Sequence, residues 1–269
     1  MSFWDHLEEF RWTIIRIFIA VFALSILGFI IIPHIFDSVI LAPRNSDFIT
    51  YRFFEKAGEY IPFLPDFSSD SFNVDIININ MTTQFMTYIS TSFAFGVLFT
   101  IPFILYEIWK FISPALYENE AKGVKTAFGF GGIMFVIGCL VGYFIVFPLI
   151  FRFLITFRLS ESIVNTISLD SYMSNFYTLI LIMGLVFEMP LVFWLLSNLG
   201  LIYRSFFRKY RRHAVVGSLL AAAIITPSGD PFSLFVVTLP IYALWEISAF
   251  VVKKDPPEEE EENLPATID

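Results

Sequence analysis

The chain has 269 residues, 57% of them apolar and 16% charged, against roughly 45–50% and about 25% in soluble domains. That balance excludes a water-soluble globular domain and assigns the surplus apolar surface to lipid. The net charge of −8 sits largely in Asp255 and the glutamates 258–262, past the last apolar block, so it implies an acidic, disordered tail over 255–269 rather than a charged core.

The apolar residues come in blocks near 20 residues, the length a helix needs to cross a hydrocarbon core of about 30 Å. The first block, from Ile14 to Ile32, is too long for the core of a secretory signal, has no Ala-x-Ala site and follows the acidic start Asp5-His6-Leu7-Glu8-Glu9, so it reads as a retained span. Span one is expected over about 12–32, ending at Pro33 with Arg11 and Arg16 at its entry. A loop over 33–81, rich in proline and aspartate, suits an extramembrane cap with short helices. Span two follows over about 83–108, bent at Pro102. Span three, about 124–147, carries Gly129, Gly131, Gly132, Gly138 and Gly142, which permit close helix approach.

Span four is expected over about 172–199 and contains Glu188 and Pro190. Span five, about 214–225, is too short for a full hydrocarbon core, so it needs a local thinning of the bilayer or a short hairpin with span six at about 232–252. Arg11 and Arg16, Lys110 with Lys122 and Lys125, the group from Arg204 to Arg212, and Lys253 with Lys254 fall in alternate connections. Cationic loops stay in the cytoplasm. The expected fold is therefore an all-α membrane protein of six transmembrane helices over residues 1–254, the fifth and sixth spans short, with both termini cytoplasmic.

Few residues suggest chemistry. The string from His6 to Arg11 fits an amphipathic helix start with acids favoured by the helix dipole. The stretch from Tyr106 to Glu120 puts carboxylates beside a proline turn at a membrane edge, which suits either a cationic ligand or a local ion pair with Lys122 or Lys125. Glu188, deep in a span, costs about 2.5 kcal/mol or more, so it makes either a structural hydrogen bond to another helix or a polar functional surface. Glu246 lies near enough to a helix end to snorkel. The Arg204–Arg212 group fits topology and anionic lipid contact, with no need for nucleic acid. Cys139 is the only cysteine, so neither an intrachain disulfide nor a cysteine metal cluster can form, and the scattered histidines His6, His34 and His213 make a metal site improbable.

Four strings together resemble the TatC family: His-Leu-x-Glu-x-Arg at His6 to Arg11, Tyr-x-x-Trp-x-Phe-x-x-Pro-Ala-Leu-Tyr-x-x-Glu from Tyr106 to Glu120, Phe187-Glu188-Met189-Pro190, and Thr226-Pro227 with Asp230 and Pro240. The resemblance implies a non-enzymatic receptor, without cofactors, in the bacterial cytoplasmic (inner) membrane. Such a receptor captures twin-arginine signal peptides of folded proteins, associates with TatA- and TatB-type single-span subunits and with copies of itself, and is driven by the proton gradient. It assigns Glu9, Phe111 and Glu120 to signal-peptide binding with Arg11 and Leu116 in support, Glu188 to an intramembrane partner contact, and Asp230 to the turn on the opposite side. The competing expectation is a proton-coupled secondary transporter of a small solute with Glu188 as proton relay, which calls for broken helices and an internal repeat; no repeat is visible.

Overall fold

A computed structural model describes residues 3–58, 74–112, 118–160, 162, 165–226 and 228–255, and for residues 3, 5, 56–58, 112 and 118–127 it describes the backbone alone. Loop residues 59–73, with Pro62 and Pro65, the turn residue Pro227 and the tail 256–269 lie outside the described residues. The helices are α1 (Phe3–Ile35), α2 (Ile49–Gly58), α3 (Thr83–Ile112), α4 (Glu118–Val141), α5 (Phe147–Thr156), α6 (Leu169–Val186), α7 (Met189–Asn198), α8 (Arg204–Lys209), α9 (Arg211–Ile225) and α10 (Pro231–Val251). Five stretches are long and apolar enough to cross a membrane: His6–Arg44, Thr83–Phe111, Phe128–Thr156, Leu169–Asn198 and Pro231–Val251. Helix α9, with 15 residues, is about 22 Å long at 1.5 Å per residue.

Helices α1 and α3 form an antiparallel pair. Gly96 makes this possible, since a Cβ there would lie 2.1 Å from Ser25 Oγ and 2.7 Å from the Ser25 backbone nitrogen. Elsewhere on α1, Phe18, Phe22, Ile26 and Ile30 repeat every fourth residue and are exposed, an apolar stripe that suits lipid. Gly138 of α4 plays the same part against α6, where a Cβ would come within 2.6 Å of the Met183 carbonyl.

Two helices run through a proline, and one of them was expected to end there. Pro33 does not end span one; α1 continues to Ile35 and passes through a π-helical turn, Phe36–Ile40. Proline has no N–H to give the carbonyl four residues earlier, and that carbonyl, of Phe29, accepts a hydrogen bond from the Tyr88 hydroxyl instead. Pro148 likewise sits inside a continuous path from α4 through the π-helical turn Gly142–Val146 into α5. The carbonyl it leaves free, on Phe144, accepts from Thr50 Oγ1 at 2.5 Å. In both cases a distant hydroxyl supplies the missing donor, so the helix survives its proline. Span three consequently runs past the expected end at 147 to Thr156, and Arg152, five residues beyond that end, is buried on α5 with its guanidinium 5.5 Å from the Tyr51 ring centroid.

The region between α1 and α3 is not wholly helical. Strand β1 (Ile76–Ile77) pairs in parallel with β2 (Ile167–Ser168), matching Ile76 to Ile167. Buried tyrosines tie helix α2 to the turn before it and that turn region to the bundle: the Tyr51 hydroxyl donates to the Pro43 carbonyl at 2.7 Å, and the Tyr172 hydroxyl of α6 to the Ile40 carbonyl at 2.6 Å. Beneath them Phe147, Met173, Leu179, Met183 and Val237 form the core shared by α5, α6 and α10.

Span four is two helices. The chain breaks after Val186, and Glu188 sits in the junction before α7. Pro190 is the physical cause, because it cannot donate to the Val186 carbonyl and crowds it. Glu246 does more than snorkel. Arg211, at the start of α9, grips both its oxygens at 2.7 and 2.5 Å, and Tyr242 donates to it at 2.8 Å. Asp255, expected in the tail, accepts from the Ser205 amide at 3.0 Å, a contact that holds its carboxyl below the usual range.

Candidate functional site

The N-terminal turns of α1 place His6, Glu9, Phe10, Thr13 and Arg16 on one face, at spacings of three and four. That face meets the last two turns of α3. His6 stacks on Phe111 with centroids 4.3 Å apart, and Phe10 lies 5.5 Å from the same ring. Glu9 and Phe111, 102 positions apart in sequence (111 − 9), thus lie at the same end of the helix pair. Arg11 is exposed there. Leu116 and the Glu120 side chain lie outside the described residues.

Arg16 organises the charges of this end. Its Nε donates to Glu107 Oε2 at 2.7 Å, and its Nη2 donates to Glu9 Oε1 at 3.1 Å and Thr13 Oγ1 at 3.0 Å. The two carboxylates differ in setting: the Glu107 side chain is 4% exposed and that of Glu9 39%. A carboxylate as deeply buried as Glu107 requires a partner, and removing one member of such a pair typically costs about 3–5 kcal/mol. Sequence reasoning missed this triad. Arg16 follows Glu9 by seven positions, two turns along one face, which was legible; Glu107 is 91 positions from Arg16, and no local pattern joins them.

Glu188 is elsewhere in the bundle, 8% exposed, and neither carboxyl oxygen has a hydrogen-bond partner among the described residues. Facing it is Gly131, where a Cβ would fall 2.9 Å from Oε2 and 2.6 Å from a Leu191 methyl. A side chain at 131 would fill the space that the carboxyl uses. Around Leu191 and Phe128 pack Leu105, Trp109, Trp194 and Leu195, so the carboxyl lies beside an apolar cluster. Buried polar groups without partners are rare and costly.

Asp230 caps α10. Its Oδ1 accepts from the Ser233 amide at 2.8 Å and its Oδ2 from the Ser228 hydroxyl at 2.6 Å, just after Gly229, which has φ +59°. Burial pushes its pKa up, but the hydrogen bonds from Ser228 and Ser233 outweigh it and hold the carboxyl below its ordinary value. Its geometry accounts for a structural role at the turn. Among the described residues, no group of three His, Cys, Asp or Glu side chains is placed to hold a metal ion.

The comparisons agree with this architecture. The family model described as Sec-independent protein translocase protein (TatC) matches residues 5–240. The Sec-independent protein translocase protein TatC of Blattabacterium sp. subsp. Periplaneta americana (strain BPLAN) is 37% identical over 255 residues, covering 93% of this chain and 94% of the relative. That of Helicobacter pylori (strain ATCC 700392 / 26695) is 35% identical over 188 residues, covering 70% and 74%. A crystal structure of the twin arginine translocase receptor TatC superposes with a TM-score of 0.70 at 28% identity, covering 91% of this chain and 97% of that one.

Proposed function

The chain belongs to the TatC family of membrane-spanning Sec-independent protein translocase components, and from that premise we propose that it is the signal-peptide receptor of a twin-arginine translocase. It captures the paired arginines of signal peptides on folded cargo at the end of the helix pair α1–α3. One observation carries this reading: His6 stacks on Phe111 there, and the next turn of α1 presents the part-exposed carboxylate of Glu9, so an aromatic ring and a carboxylate share one end of the helix pair. A guanidinium binds a carboxylate through two parallel hydrogen bonds that an ammonium cannot reproduce, and Glu120 supplies the second carboxylate for the second arginine.

In this reading α9 crosses a locally thinned bilayer as a sixth span, paired with α10 by the Arg211–Glu246 contact. Both termini lie in the cytoplasm of a bacterial inner membrane, in keeping with the cationic loops of one side. TatA- and TatB-type subunits join the receptor for export driven by the proton gradient, and Glu188 is the contact for an arriving polar helix. The unpartnered carboxyl beside Gly131 supports that last assignment. Family membership replaces the solute-transporter reading. The test is the affinity of a twin-arginine peptide for the purified protein in detergent. Glu9→Gln with Glu120→Gln is expected to weaken it strongly, and unchanged affinity in that double variant rejects the proposal.

A further inference from the structure

We infer that Arg16 is a built-in competitor for the signal peptide: anchored on buried Glu107, its guanidinium occupies Glu9, and an incoming arginine must take Glu9 from it. The inference rests on the reading of Glu9 as a recognition carboxylate and adds what that carboxylate does before a peptide arrives.

The asymmetry of the triad sets which contact yields. Glu107 is out of water and its bond to Arg16 Nε is the shorter, 2.7 Å against 3.1 Å for Glu9. Releasing Arg16 from Glu107 would strand a desolvated carboxylate, which is costly. Releasing it from Glu9 is not, because Glu9 is 39% exposed and water can replace the lost bond, while Thr13 Oγ1 still receives Nη2. Glu9 is therefore the arm that opens.

Charge gives the same answer. Glu9, Glu107 and Arg16 together carry one net negative charge, the sum of two carboxylates and one guanidinium. A single further guanidinium neutralises the cluster, so this triad has room for one arginine of a pair. The internal contact lowers peptide affinity by the strength of a half-exposed ion pair, about two- to five-fold. Affinity is thereby held below what Glu9 alone would give, which favours release of the signal after capture.

The test is a titration of a twin-arginine peptide into the full-length protein in detergent. The charge-neutral double variant Arg16→Gln with Glu107→Gln removes the competitor without changing the cluster's net charge. It is expected to bind about two- to five-fold more tightly. Glu107→Gln alone leaves Arg16 wholly to Glu9 and is expected to weaken binding by a similar factor. Should the double variant fold poorly, Arg16→Lys serves: an ammonium cannot span both carboxylates as the fork does, so it stays with Glu107, frees Glu9 and again tightens binding. A merely structural triad would move thermal stability and shift all variants the same way. Opposite signs for Glu107→Gln and the double variant, with the gain abolished when Glu9→Gln is added, bear the inference out. If Glu9→Gln alone weakens binding while neither the double variant nor Arg16→Lys tightens it, the competitor is overturned and the recognition reading stands. If Glu9→Gln alone changes nothing, both fall together.

Discussion

Replacing Glu188 with methionine should stabilise the isolated protein and impair its assembly. The carboxyl is 8% exposed and neither oxygen has a partner among the described residues, so the fold bears the cost of a buried polar group without a compensating hydrogen bond, about 1–3 kcal/mol by mutational standards. Methionine is close in length and flexible, and it fits against the Leu191 methyl and the open side of Gly131 without leaving a cavity. Most of that cost is then recovered, and at about 2–4 °C per kcal/mol the melting point in detergent rises measurably. Crosslinking to a TatA- or TatB-type partner should fall, whereas twin-arginine peptide binding at the α1–α3 end should not change. Glu188→Gln keeps a polar group of similar shape and should retain partner crosslinking without the gain in stability. A Glu188→Met protein that melts lower and loses peptide binding would show the carboxyl to be a fold determinant and refute the reasoning.

Gly96→Ala should cost about 1–3 kcal/mol, because its Cβ would meet the Ser25 backbone as well as its hydroxyl. Gly132→Ala, whose Cβ finds nothing nearer than 3.7 Å, should be neutral or slightly stabilising in the same detergent melts. Asp230→Ala should lose about 1 kcal/mol by removing the α10 cap. The folded carboxyl titrates below its unfolded value, so the cap's ionic contribution is full above the ordinary aspartate pKa of about 3.9. It is lost as pH falls through the lower folded value, and acid melts of Asp230→Asn should lack that dependence. Spin labels along α9 should report its two ends about 22 Å apart in depth or less; a separation of a full bilayer thickness would contradict a thinned membrane there.

Much of the fold was legible because lipid imposes simple demands. Apolar blocks of the necessary length announced the long spans, and the short block before Thr226 announced a helix unlike the others. What escaped depended on partners distant in sequence. Pro33 and Pro148 look like helix ends until Tyr88 and Thr50, 59 and 94 positions from the carbonyls they serve, provide the missing donors. The burial of Arg152 was hidden for the same reason, since a helix expected to stop at 147 leaves residue 152 outside it. At the site, Glu9 and Phe111 were found through the resemblance of their strings rather than through periodicity. Glu107 looked like one more acid on a membrane edge, and only the packing of α1 on α3 shows it to be the buried anchor of Arg16.

The most direct test of the account is photocrosslinking to the unaltered full-length protein of a twin-arginine peptide carrying a photoreactive residue beside its arginines, with the labelled positions mapped. Adducts are expected at positions around 9 and 111, none at position 230 at the far turn, and a peptide with both arginines changed to lysine should abolish them. Equal labelling at position 230, or adducts that persist with the lysine peptide, would contradict capture of paired arginines where α1 meets α3.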